Sequence, residues 1–228
     1  IRIGYAGQSL GGITGGNLMA YGAPDVSVGV LNVPGGGLVN ILLGTVPAIA
    51  APLFVALNQA GVCDFKVEGD PTKGCKPTAA FQQFLLTAQW ALDPGDPLAT
   101  SIGVHAPHNG TPALTAAKIL MQMAIPDRVV PNSTTLALGR AYGFNPADNG
   151  PTSHFRTYNF MTAADPTKNC HGFILSPDTA GCGASVNEML CSTFGAQQAA
   201  ARFIASGGAV IGDRKASGIP PPLGPCQE

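Results

Sequence analysis

Charge is what this chain has least of. Its 228 residues carry 12 Lys and Arg against 13 Asp and Glu, net −1, and charged side chains make up 11% of the sequence, against roughly a quarter in an average soluble domain. With no basic surplus to neutralise phosphates, a nucleic-acid partner has no electrostatic support. The six cysteines contain no Cys-x-x-Cys pair, and no His stands at zinc-finger distance from two of them, so no metal centre is expected. No internal repeat occurs. No basic segment, apolar stretch and small-residue cleavage site opens the chain either; any leader is expected to have been removed or to lie upstream of Ile1.

Gly and Pro are plentiful, 30 and 20 residues, yet 45% of the chain is apolar, which is too hydrophobic for a disordered Gly/Pro polymer. The length suffices for one sizeable core or two small ones. Pairing the cysteines by proximity gives Cys63 with Cys75, Cys170 with Cys182 and Cys191 with Cys226, set in loops rich in Gly, Pro, Asp and Thr. That pattern reads as disulfides formed in an oxidising compartment, secreted or periplasmic. Leu38 to Leu57 is a charge-free run long enough to span a bilayer. Pro47, Pro52 and Gly44 interrupt it, and neither flank carries an anchoring Lys or Arg. A broken pair of apolar helices is expected there rather than a membrane span.

Strands and helices alternate along the chain, which predicts a parallel α/β sheet. Strands are expected at Ile1–Ala6, Asp25–Val33, Lys118–Ile125 and Phe155–Met161, and helices at Ile13–Tyr21, Thr78–Leu92, Ser133–Tyr142 and Phe194–Ala205. In the second helix Phe81, Phe84, Leu85, Ala88 and Leu92 fall on one face. In the third, Asn132 or Ser133 is expected to cap the N-terminus. The Cys63–Cys75 segment is expected to be a loop, and the Pro-rich tail 218–228 to be without structure.

One constellation carries chemistry. Gly7-Gln8-Ser9-Leu10-Gly11 matches G-x-S-x-G, in which a serine on a sharp strand-to-helix turn needs neighbours without side chains. In a chain with 30 Gly the pattern alone can arise by chance; the apolar strand before it and the small-residue helix after it supply the context the mechanism requires. A serine hydroxyl needs a base and an orienting carboxylate, expected in the order Ser, Asp or Glu, His. Among Asp93, Asp96, Asp127 and Asp165 the choice is Asp127, which follows the Lys118–Ile125 strand at the end where parallel sheets carry functional groups. Asp93 and Asp96 follow a helix and read as turn or cap residues. His105 and His108 precede Asp127, and His154 stands at the wrong end of its strand. His171 follows that strand, and the neighbouring Cys170 would pin its loop through a disulfide.

The phrases GQSLGGITGGN around Ser9, QMAIPDRVVPNSTTLALGRAYG around Asp127 and NCHGFIL around His171 resemble the α/β-hydrolase superfamily, and within it secreted bacterial lipases and esterases of the virulence-factor type. The resemblance implies Ser9 as nucleophile, Asp127 as acid, His171 as base and the Leu10 N–H as one oxyanion donor, with no cofactor. Many such enzymes have His where this chain has Gln8, a position given no part in the chemistry. It also implies that residues 1–228 are the C-terminal part of a single catalytic domain, with an apolar lid or cap at 38–112, because the nucleophile of this superfamily follows the fifth strand of about eight. A companion N-terminal segment is then expected to pair with the first strand and complete the oxyanion hole. The expected substrate is a hydrophobic acyl ester, with contact to a lipid surface open to the enzyme; an acyltransferase using the same triad and a non-catalytic binding module are the rival expectations.

Overall fold

The structure is a computed structural model that describes residues 3–21, 25–105, 118–148, 152–160, 168–176, 182 and 186–211. Its centre is a four-stranded, wholly parallel sheet in the order β1 (Ile3–Gln8), β2 (Val26–Asn32), β5 (Ile119–Ile125), β6 (Phe155–Asn159). The two central strands are buried almost end to end, the pattern expected where helices cover both faces of a parallel sheet. Alternation sends Leu31, Ile119, Met121 and Met123 to one face, against Met19 of α1 (Leu10–Tyr21) and Leu138 of α6 (Asn132–Ala141). Val28, Val30 and Leu120 go to the other face, against Ala199 and Phe203 of α7 (Val186–Ala205). β1 is an edge strand, paired only with β2 among the described residues, and Ile3 is 48% exposed.

Between β2 and β5 the chain leaves the sheet. α2 (Leu38–Gly44) and α3 (Pro47–Gln59) meet at a 105° bend. Pro47 opens the second helix, where its missing N–H costs nothing. Among the described residues no single helix is long and apolar enough to cross a membrane; only this bent pair meets the length and composition together. The segment expected to be a loop instead forms a small antiparallel hairpin, β3 (Phe65–Val67) with β4 (Asp70–Cys75), tied at its base by the Cys63–Cys75 disulfide. Strands of three and six residues containing Asp, Pro and Gly lie below what β propensity can signal. Phe54, Leu57, Phe81 and the disulfide then make a separate small core. α4 (Ala79–Leu92) follows, with the Thr78 hydroxyl accepting from the Phe81 N–H as N-cap, and the single turn α5 (Ile102–His105) comes before β5. Its expected inner face is observed: Phe81 is buried and Phe84, Leu85, Ala88 and Leu92 are half-buried, whereas Leu86 and Trp90 are 75% and 76% exposed.

The start of α2 and the last turns of α4 are clasped together by Asp96, fully buried. One carboxylate oxygen accepts the Gly37 N–H at 2.9 Å and the Leu98 N–H at 2.9 Å, and the other accepts the Leu38 N–H at 2.7 Å and the Gln89 side-chain amide at 2.9 Å. Asp96 is therefore a cap, supplied in trans to the start of α2, where Gly37 at φ 79 offers no side chain of its own. Burial, followed by the charge of Asp96, raises the pKa of the neighbouring Tyr142 hydroxyl well above the usual phenol value. Asp96→Ala strands three backbone donors and is expected to cost about 2–4 kcal/mol, read as a lower urea midpoint. An unchanged midpoint would show that the clasp holds nothing.

Other element boundaries differ from the sequence expectation for local reasons. α1 starts at Leu10 rather than Ile13, because the glycines taken for a turn are helical and let α1 lie close against the sheet. A Cβ on Gly12, one of the glycines taken for a turn, would run into the Asn32 carbonyl and Pro34, and one on Gly15, inside the helix already expected, into Tyr5 and Leu31. β2 ends at Asn32 because Val33 turns to φ 42, a costly conformation for a β-branched residue. α7 begins at Val186, earlier than the expected Phe194. Cys191, Ser192 and Thr193 are poor helix formers, but Met189 is buried and the Thr193 hydroxyl bonds the Phe173 carbonyl. The Pro-rich tail, Cys226, His108, Met161, Asp165 and positions 106–112 lie outside the described residues.

Candidate active site

Ser9 sits between the last residue of β1 and the first of α1, at φ 58, the left-handed region that favours glycine. Its N–H is held by the Asn32 carbonyl at 3.0 Å, and its own carbonyl accepts the first helical bond from Ile13 at 2.9 Å. Those two bonds impose the strained turn. The flanking glycines serve it unequally. A Cβ on Gly7 would overlap the Gly11 backbone, so Gly7 is a steric requirement; one on Gly11 would meet only the Tyr5 hydroxyl, at an ordinary 3.8 Å. The expectation that both positions must lack a side chain is therefore correct for Gly7 and not required by packing at Gly11. Gly11 contributes its carbonyl, which accepts the Tyr5 hydroxyl at 2.6 Å and ties the elbow to the strand before it. Leu10 opens α1, so its N–H is among the helix's first donors, which have no intrahelical acceptor. The Leu10 side chain is 68% exposed.

Asp127 lies just past β5, after the cis Ile125–Pro126 bond, and is 6% exposed. Its Oδ1 accepts the Val129 N–H at 3.0 Å and the Val130 N–H at 2.9 Å, which fixes the carboxylate against its own turn. Asn132 takes a different part from the one expected. The residue at the N-cap of α6 is Pro131, with no side-chain cap bond. Asn132 instead accepts the Asp127 N–H at 3.1 Å and donates to the Ala124 carbonyl at 2.6 Å, bracing the Asp127 loop against the strand. A cap and a loop brace use the same side-chain chemistry, so sequence could not separate them.

His171 comes from the segment after β6. Its Nδ1 stands 2.8 Å from Asp127 Oδ2 and 3.0 Å from Oδ1, and its Nε2 stands 2.6 Å from Ser9 Oγ. An ionised carboxylate only accepts, so Nδ1 carries the proton and Nε2 is left free to accept from the serine hydroxyl. The imidazole is 12% exposed. Its segment is held from several directions. The Cys170 N–H donates to the Pro126 carbonyl at 2.8 Å, and Asn169 Oδ1 accepts the Arg128 N–H at 3.0 Å. Cys170 is bonded to Cys182. Thr193 and Gln197 of α7 donate to the Phe173 and Ile174 carbonyls at 2.6 and 2.7 Å. Gln8, beside Ser9, donates from Nε2 to the His171 carbonyl at 3.0 Å; sequence reasoning gave this residue no role.

Residues 9, 127 and 171, spread over most of the chain, thus form one continuous hydrogen-bonded row at the carboxyl ends of the strands. The other described histidines lie elsewhere. His105 stands exposed against the Ala141 carbonyl, 2.9 Å away. His154 precedes β6 at the opposite end of the sheet, packed between Phe144 and Phe203 with ring centroids 6.0 and 5.8 Å away. Asp93 accepts from Gln89 at 2.8 Å and takes no part in the row. Cys191 is disulfide-bonded, and its expected partner is outside the described residues.

Fold and site together define an α/β protein with a Ser–His–Asp row above a parallel sheet. Comparisons with protein-family models, with curated proteins and with solved structures found no match to this chain.

Proposed function

We propose that the protein is a serine carboxylic-ester hydrolase of the α/β-hydrolase type, acting on hydrophobic acyl esters through an acyl-enzyme. The observation that carries this reading is the 2.6 Å contact between His171 Nε2 and Ser9 Oγ, backed by the 2.8 Å contact from Nδ1 to Asp127. His171 removes the hydroxyl proton as Oγ attacks the acyl carbon, and Asp127 orients the ring and stabilises the imidazolium. The tetrahedral oxyanion is met by the Leu10 N–H at the positive end of α1. Collapse breaks the ester C–O bond, and His171 returns the proton to the departing alcohol. Water, deprotonated by the same imidazole, then releases the carboxylic acid and restores Ser9.

Two features support an apolar substrate. Residues 38 to 63 contain no charged side chain, and neither does α4. Leu86 and Trp90, one helical turn apart on α4, are exposed. In this reading α2, α3 and α4 form the lid or acyl-chain wall and can meet a lipid surface. The side of β1 that no described residue pairs with is, in this reading, the seat of a companion strand, which covers an otherwise aggregation-prone edge and brings the second oxyanion donor. An active preparation whose intact mass and N-terminal sequence show nothing ahead of Ile1, and no second polypeptide, would overturn the companion. The paired cysteines support secretion to an oxidising compartment. A p-nitrophenyl ester series tests the activity. Turnover that rises from acetyl to longer acyl chains is expected, and the absence of turnover on every member by the assembled protein would refute it.

A further inference from the structure

We infer that Gln8 is a positioning residue, whose side-chain amide holds the backbone of His171 and so keeps the imidazole over Ser9. The inference rests on the ester-hydrolase reading above. Gln8 ends β1, is paired in register with Asn32, and immediately precedes Ser9. Its Nε2 reaches 163 residues along the chain to donate to the His171 carbonyl at 3.0 Å in a part-buried setting. A backbone carbonyl can only accept, so the amide must present its nitrogen there.

What this bond adds follows from where the other bonds run. Cys170 and Asn169 tie the His171 segment to the acid loop, through the Pro126 carbonyl and the Arg128 N–H. Thr193 and Gln197 tie it to α7, and His171 itself holds Asp127. Base and acid therefore form one braced unit. The nucleophile belongs to another unit, the β1 elbow, which is fixed by the Ser9 N–H on the Asn32 carbonyl and by Tyr5 on Gly11. Gln8 joins the two, and it does so one residue from Ser9 and on the backbone of His171 itself. Without it the base–acid unit stays intact and both units still hang on one sheet through β2 and β5, but the direct tie from the elbow to the His171 backbone is gone, and the distance to Ser9 Oγ rests on the reacting contact and the longer path through the sheet. A shift on the order of 1 Å at that contact costs up to about 10²-fold in rate.

Three substitutions test this. Gln8→Met keeps the side-chain length and removes the donor; Gln8→Asn keeps the amide but draws it back by one methylene; Gln8→His restores an N–H at similar reach. The expected result is a kcat about 10- to 100-fold lower in Gln8→Met and Gln8→Asn, at unchanged KM and with the melting temperature within a few degrees, and recovery to within about threefold of wild type in Gln8→His. Imidazole ¹⁵N chemical shifts give a readout independent of turnover. In Gln8→Met the His171 Nε2 resonance is expected to move toward its free-imidazole position, while Nδ1, still bonded to Asp127, does not move. A lower melting temperature with intact kcat and unmoved Nε2 would mean a merely structural amide and overturn the inference, as would an equal loss in Gln8→His. If wild type turns over no ester, the hydrolase reading fails by itself, and the Nε2 shift still decides whether Gln8 positions the ring. Should Gln8→Met not fold, Gln8→Asn is judged by the same two outcomes.

Discussion

Ser9→Ala is expected to lose ester hydrolysis by a factor on the order of 10⁶ in kcat while folding normally. In the proposed mechanism the loss is this large because the hydroxyl is the group that forms the acyl bond, so its removal leaves no partial pathway through the same intermediate. Folding survives because the turn is imposed by backbone bonds, the Ser9 N–H on Asn32 and the Ser9 carbonyl on Ile13, which alanine keeps. Alanine also carries the same Cβ into the same left-handed conformation. Ser9→Gly should be as inactive but more stable by about 1 kcal/mol, since φ 58 suits glycine. A serine held in a strained turn costs stability, and the gain in Ser9→Gly measures that cost. Equal unfolding midpoints for wild type, Ser9→Ala and Ser9→Gly would show that the elbow is unstrained, and unchanged turnover in Ser9→Ala would remove Ser9 from the chemistry.

His171→Ala is expected to cost a factor of similar size, on the order of 10⁶, because in the proposed mechanism nucleophile and base act as a unit. Asp127→Asn should lose about 10⁴-fold: an amide that donates to Nδ1 selects the tautomer with its proton on Nε2, which cannot accept from Ser9. His154→Ala provides the contrast. Its ring packs with Phe144 and Phe203 at the far end of the sheet, so its loss is expected to lower stability and leave kcat in place. Steady-state kinetics on the three variants, with melting temperatures alongside, check the ranking. If His154→Ala were the inactive protein and His171→Ala the active one, the base would be misassigned.

How much of the molecule is legible in its sequence depends on how local each contact is. The four strands of the large sheet follow from apolar runs such as Ile119–Ile125, whose burial is nearly continuous, and their parallel direction from alternation with helices. Thr78 and the inner face of α4 are equally local, because a cap and a 3.6-residue period need only neighbouring positions. Ser9 is visible because G-x-S-x-G encodes a turn within five residues. Asp127 and His171 can be picked out only because topology restricts where a parallel sheet can present them. What sequence does not show is non-local. The donation from Gln8 to His171 spans 163 residues. Asp96 reads as a turn residue because its true partners, Gly37 and Leu38, lie nearly sixty positions earlier. Asn132 bonds Ala124 and Asp127 rather than its own helix, a choice between two partners of equal chemistry. At the start of α1, Gly11 and Gly12 read as a turn, but both are helical, and Gly12 packs closely on the Asn32 carbonyl and Pro34.

The most direct measurement is the reaction of the assembled protein with a serine-directed alkyl phosphonate, followed by peptide mass analysis. A single stoichiometric adduct is expected on the peptide containing Ser9, formed at a rate that collapses in His171→Ala. No adduct, or one on another serine, would contradict the assignment of Ser9 as nucleophile.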